Sequence, residues 1–381
     1  MRRLPLLLLT LILKIASTWF ALNVFVKLTT VSDPFTYVET TTYQDFLTNR
    51  THLIGFIAST IGQYTNTTLP HYFFSIINGI AIWILLCQIP PRAIWCFPPL
   101  VFLPSIAAWS SLVSKESLAI SALCLILAAW IRILECKGKS LVTLMYGAIG
   151  FLFYGFLRPH FALGAFLLVI SSIILRPNAS VYGRKAILNP SFHRLGTPTV
   201  IFTGLCAFLL FRKYFFDGVD KVIGQSLVYF TIGLGDSSRN SWLPWNDVTS
   251  FYTNAWWAVP FGVIGPLPSE VLEKNIFAPA FLEGIFIFSL PFVACFTLVF
   301  RIKKNPESNL LYFYSLFFLV LPVVTAFLYF IHAPLGMMNP GSAIRYRTGF
   351  EYLVTITWVY IALRIDSIHR RCDGHSHGDT V

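Results

Sequence analysis

The sequence predicts an all-α fold, a polytopic helical bundle of about ten transmembrane helices with long extracytoplasmic loops. Three observations carry this expectation. Of the 381 residues, 56% are hydrophobic and only 12% are charged, about half the charged share of a soluble globular domain. The mean hydropathy is +0.68. Several apolar runs approach or exceed the roughly 18–20 residues that cross a bilayer. These runs are continuous rather than alternating, which argues against a transmembrane β-barrel.

The first run, 4–27, follows a short basic start. It is too long for the apolar core of a signal peptide, and no small-residue cleavage site closes it, so it reads as a retained span. Further spans are expected at 71–89, 93–113, 116–134, 141–157, 161–175, 198–214, 278–300, 309–331 and 350–365. The segments 141–157 and 161–175 are short at about 1.5 Å per residue, and a re-entrant hairpin about Arg158-Pro159-His160 is the alternative. One transmembrane domain covers 1–367, with outer loops 28–70, 215–277 and 332–349. A disordered cytoplasmic tail follows at 368–381.

Charge orients the bundle. With the N-terminus in the cytoplasm, 16 of the 28 basic residues fall in short cytoplasmic segments, as the positive-inside bias requires. That bias also explains the net charge of +11 without nucleic acid. The C-terminus is then cytoplasmic as well. The outer face collects most of the acids, together with several cations that stand against the bias. Intramembrane or juxtamembrane charges of this kind point to a functional site.

Five stretches supply the candidate residues. In "SDPFTYVETTTYQDFL", Asp33 precedes a proline just after the first span, and Glu39 follows; a carboxylate there can take a proton from a sugar hydroxyl. An Asx turn in a solvated loop is the alternative. In "PSIAAWSSLVSKESLAI", Ser114 reads as an N-cap and Glu116 sits well on the helix dipole. Lys115 could bind an anion there, or the stretch could be cap chemistry alone. In "FLRPHF", Arg158 and His160 lie between apolar runs at a helix-breaking proline; snorkelling to the interface is the alternative for the arginine, and a structural hydrogen bond for the histidine.

If "NPGSAIRYRTGF" is extended, Arg345 and Arg347 point to one side with Tyr346 opposite; a pair of lipid-headgroup-binding arginines is the alternative. Guanidinium groups bind phosphate through paired, charge-assisted hydrogen bonds. Last, the long loop offers Asp236, Arg239, Trp242 and Trp245 to a saccharide, although an interfacial aromatic belt needs tryptophans equally. Seven scattered cysteines show no metal-ligand spacing and read as core residues. Asn49, Asn66 and Asn178 fit the glycosylation sequon. No metal ligand set is evident; a divalent ion is compatible but not demanded.

The acidic residue after the first span resembles the hallmark of C-type membrane glycosyltransferases, which use polyprenyl-linked donors. "LPSIAAWSSLVSKESL", "VIGPLPSEVLE" and "IRYR" resemble, in order along most of the chain, signatures of bacterial polysaccharide polymerase-like proteins. Each motif is short, and the doubled acidic motif of protein mannosyltransferases is absent. The resemblance implies a transferase of a bacterial cytoplasmic membrane with its active site on the extracytoplasmic side. It would take an undecaprenyl-linked saccharide and polymerise repeat units of a surface polysaccharide, beside membrane lipid and other assembly proteins. Asp33 and Glu39 would be catalytic. Arg158, His160, Arg345, Arg347 and Lys115 would hold the donor (pyro)phosphate, and Glu116, Asp236, Arg239, Trp242 and Trp245 the sugar or acceptor. A single-sugar transferase decorating a glycan or lipid is the first alternative. A transporter, which would carry midplane charges on repeated broken helices, and a non-catalytic envelope scaffold are the others.

Overall fold

The computed structural model describes residues 3–28, 33–39, 45, 48–90, 93–135, 140–175, 213, 216–225, 227–228, 239, 247–300 and 308–375. All regular structure among the described residues is helical. Five helices there are long and apolar enough to cross a membrane: Arg3–Phe25, Leu69–Leu86, Lys115–Leu134, Asn275–Val299 and Leu310–Gly336. Two shorter apolar helices, Leu141–Leu157 and Pro159–Ile174, join them. Several long apolar helices are what a multi-pass membrane protein requires. The span expected at 198–214 lies outside the described residues apart from position 213.

One expected span is built differently. Residues 93–113 form short pieces, Ile94–Cys96, Pro98–Val101 and Pro104–Trp109, instead of one helix. Pro98, Pro99 and Pro104 supply the reason, since each removes a backbone donor and clashes with the preceding turn. The second and third pieces are enclosed in protein, with Leu100, Val101, Ile106 and Trp109 all buried, whereas Trp95 in the first is exposed. Irregular backbone between apolar helices is tolerated only when it is covered in this way.

The chain divides into two compact units. The first comprises Met1–Leu163, Ile264–Gly284 and Pro340–Leu353. Its centre is helix Lys115–Leu134, which packs on Leu69–Leu86 on one side and Leu141–Leu157 on the other, while Arg3–Phe20 packs on Leu69–Leu86. Gly150 permits the close approach of Leu141–Leu157, because a Cβ there would stand 2.9 Å from the Ala122 carbonyl oxygen. Small residues at helix contacts serve this purpose in membranes. Ser114 caps the central helix through Ser117 N–H at 3.1 Å, as its position in the sequence predicts. Asn49, one of the three sequon asparagines, also acts as an N-cap, and Asn66, another, closes the turn that leads into helix Leu69–Leu86. Asn49 Oδ1 accepts from Thr51 N–H at 2.9 Å, and Asn66 Oδ1 accepts from Leu69 N–H at 2.8 Å.

A buried lysine, Lys14, reaches Ser110 Oγ at 2.6 Å and Ser111 Oγ at 2.9 Å. It ties helix Arg3–Phe20 to the irregular segment in the interior of this unit.

The second unit comprises Gly164–Val263, Ile285–Asn339 and Val354–Val381. Trp358 anchors it, donating to Thr325 Oγ1 at 2.9 Å and meeting Phe317 edge-on at 4.8 Å. Tyr312 donates to the Ser172 carbonyl at 2.8 Å and Tyr329 to the Ile287 carbonyl at 2.6 Å. Aromatic hydroxyls thereby satisfy helix carbonyls in an otherwise apolar interior.

The segment carrying Arg345 and Arg347 is not extended. It is the start of helix Pro340–His375, which also continues past residue 368, where the sequence predicts the tail. Pro340 occupies the first helical position, where its missing N–H costs nothing and its fixed φ suits the helix.

Candidate functional site

In a helix, residues two apart point to nearly opposite sides. Arg345 and Arg347 accordingly enter two different environments within the first unit. Arg345 Nε donates to Glu116 Oε1 at 2.9 Å. Arg158 Nη2 donates to the same oxygen. Glu116 is fully buried and Arg158 is 3% exposed, whereas the Arg345 side chain keeps 15%. One carboxylate therefore clamps two guanidinium groups from segments more than 180 residues apart.

Aromatic rings floor this clamp. The Arg158 guanidinium lies 5.1 Å from the centre of the Tyr346 ring, and that of Arg345 lies 5.2 Å from the Trp109 ring. Such stacking restricts the planar groups without consuming their N–H donors. The origin of each part is local. Ser114 starts the helix that presents Lys115 and Glu116, Pro159 ends the preceding helix at Arg158, and Pro340 starts the helix that presents Arg345.

Two more cations complete the group. Lys115 Nζ donates to Thr51 Oγ1 at 3.3 Å. Arg50, the first residue of helix Arg50–Tyr64, donates from Nη1 to the Leu157 carbonyl at 3.1 Å. Burial and then the neighbouring Arg158 guanidinium push Arg50 below its ordinary pKa, against the pull of Tyr346, Glu116 and Tyr37. Among the described residues, four cations thus gather around one carboxylate.

Arg347 faces the other way and is fully buried. Nη1 donates to the Ile264 carbonyl at 2.8 Å, and Nη2 to the Ala280 carbonyl at 2.8 Å and Ser105 Oγ at 3.1 Å. Glu283 Oε1 stands 3.9 Å away, and its Oε2 accepts Ser105 N–H at 2.8 Å. Glu351, fully buried on the same helix as Arg347, acts electrostatically on this group through Glu283 and Arg347. Two glycines make room. Gly265 adopts φ +93°, open to glycine, and a Cβ on Gly284 would collide with the Ile264 carbonyl and Arg347 Nη1.

The structure thus brings Lys115, Glu116, Arg158 and Arg345 together, and sets Arg347 in an enclosed socket immediately behind them along the same helix. The three short motifs "PSIAAWSSLVSKESL", "VIGPLPSEVLE" and "IRYR" meet here, through Ser105, Glu116, Ile264 and the two arginines. His160 sits beside the cluster, edge-on to Phe161 at 4.2 Å, with Arg158 and Arg50 close enough to act on it electrostatically.

The remaining candidates stand elsewhere or outside the described residues. Glu39 is exposed at the end of helix Asp33–Glu39. Only the backbone of Asp33 is described; it opens that helix, which packs on Arg50–Tyr64. Arg239 is fully buried in the second unit and donates to the Gly336 carbonyl at 2.8 Å. Asp236, Trp242 and Trp245 lie outside the described residues. Arg50 was not singled out by its sequence. Its available signal is the one that marks Arg158, a cation in a segment expected on the outer side against the positive-inside bias. Among the described residues no group of three or more His, Cys, Asp or Glu side chains could hold a metal ion. The chain matches no family model, no curated protein and no solved structure.

Proposed function

We propose that this chain is a membrane glycosyltransferase of a bacterial envelope, with a C-type architecture of about ten spans and cytoplasmic termini. It takes a saccharide from an undecaprenyl-linked donor at the extracytoplasmic face of the cytoplasmic membrane and extends a surface polysaccharide by repeat units. The observation that carries this reading is the cluster of Arg50, Lys115, Arg158 and Arg345 about the single carboxylate of Glu116. A cation-rich group floored by aromatic rings and flanked by apolar helices suits an anionic leaving group on a lipid.

The chemistry follows from these parts. The bond from the sugar anomeric carbon to the donor phosphate breaks as the acceptor oxygen bonds to that carbon. The acceptor's proton passes to a carboxylate, for which Asp33 is the candidate, with Glu39 its neighbour on the same short helix. Negative charge grows on the departing polyprenyl phosphate or diphosphate. Arg158, Arg345 and Lys115 stabilise that charge as it develops, which is where binding accelerates a reaction. Arg347 fixes the helix that presents Arg345 and so acts by positioning.

The test is polymer length in a strain lacking the native chain and supplied with Asp33→Asn, Arg158→Gln or Arg345→Gln. Variants present at normal level are expected to accumulate single repeat units. Chains of normal length lacking a side branch would replace polymerisation with single-sugar decoration, and normal polymer from all three would overturn the enzymatic reading.

A further inference from the structure

Within the cluster the cations fall into two pairs. Arg158 and Arg345 share Glu116 as counter-charge. Arg50 and Lys115 are joined through adjacent residues of one helix turn, because Lys115 Nζ contacts Thr51 Oγ1 at 3.3 Å. The hydrogen bonds of this second pair go to neutral acceptors, the Leu157 carbonyl and the Thr51 hydroxyl. Arg50 acts electrostatically on Lys115, and Arg158 repels both, with Glu116 offsetting part of that repulsion. Like charges brought this close repel, and an anion placed between them relieves the repulsion.

We infer that Arg50 and Lys115 form a second anion seat beside that of Arg158 and Arg345, and that this seat makes the site prefer a diphosphate to a single phosphate. The inference rests on reading the cluster as the donor phosphate site. A diphosphate occupies both seats with one molecule, so its second contact is made at high effective concentration. A single phosphate occupies one seat and leaves the other empty. Arg50 contributes a planar fork that matches phosphate oxygens. Its tie to the Leu157 carbonyl, next to Arg158 in the chain, fixes the spacing between the seats.

The experiment is calorimetric titration of the purified full chain in nanodiscs with inorganic phosphate and with inorganic pyrophosphate. Wild type is expected to bind pyrophosphate about tenfold or more tightly than phosphate, the gain of one further charge-assisted contact. Arg50→Gln is expected to abolish that ratio while phosphate affinity stays within about twofold, and Arg50→Lys to recover part of it. A merely structural Arg50 would lower the melting temperature and leave the ratio intact, which overturns the inference while the phosphate-site reading stands. Wild type binding neither anion overturns both. Discs of phosphatidylcholine and of phosphatidylglycerol separate the two sources of phosphate. The preference persists in both if the seat takes a diphosphate, and its loss in phosphatidylglycerol would assign the seat to a lipid headgroup and overturn the inference.

Discussion

Glu116→Ala is expected to destabilise the first unit by about 3–5 kcal/mol, the cost typical of removing one partner from a buried ion pair. The physical reason is charge left behind. Glu116 is fully buried and its Oε1 accepts from both Arg158 and Arg345. Without it four cations remain together, and Arg158, at 3% exposure, is largely shielded from water. Glu116→Gln keeps the shape but not the charge, so most of the loss is expected to remain. Thermal unfolding of the purified protein followed by intrinsic fluorescence checks both variants. Adding Arg345→Gln to Glu116→Gln is expected to recover part of the loss, because one of the repelling cations goes with it; a strictly additive double variant would contradict the coupling.

Arg347→Met is expected to cost a similar amount, about 3–5 kcal/mol, for a different reason. Here the guanidinium is the hub for the Ile264 and Ala280 carbonyls, Ser105 Oγ and Glu283. Those acceptors belong to two stretches distant in sequence, Ser105 and the segment 264–284, and removing the donor leaves buried acceptors such as Ser105 and Glu283 without it. Lysine is a poor replacement, since a single ammonium cannot span the fork that two terminal nitrogens bridge. Arg347→Lys is therefore expected to recover little of the loss in the same unfolding assay. A near-neutral Arg347→Met would show that the socket tolerates an apolar filling and that the segment 264–284 is held by other contacts.

The legible part of the site was its charge. Lys115, Glu116, Arg158 and Arg345 stand out in the sequence because each is an ion beside long apolar runs, and a bilayer makes such ions costly unless they serve a purpose. The N-cap at Ser114 was legible too, from a serine before a charged, then apolar, helical start. The conformation of residues 340–353 was not. An extended conformation of "NPGSAIRYRTGF" would put both arginines on one side, yet proline followed by a small residue is equally a helix start. That ambiguity decides whether Arg345 and Arg347 share a face, and in the structure they do not. The segment 93–113 differs in another way: its apolar content suggested one continuous helix, while Pro98, Pro99 and Pro104 divide it into pieces. Arg50 escaped because its neighbours in sequence are polar and its role depends on Leu157 and Lys115, more than sixty residues away.

The central claim is that the cation cluster receives the leaving group of a polyprenyl-linked saccharide. Its most direct measurement is release of polyprenyl phosphate or diphosphate when purified chain in nanodiscs is given a synthetic lipid-linked repeat unit. Wild type is expected to release it with formation of longer saccharides, and folded Arg158→Gln and Arg345→Gln to release it at least about a hundredfold more slowly, the scale of losing one preorganised donor to developing charge. No release by wild type, or release at an unchanged rate by both folded variants, would contradict the account.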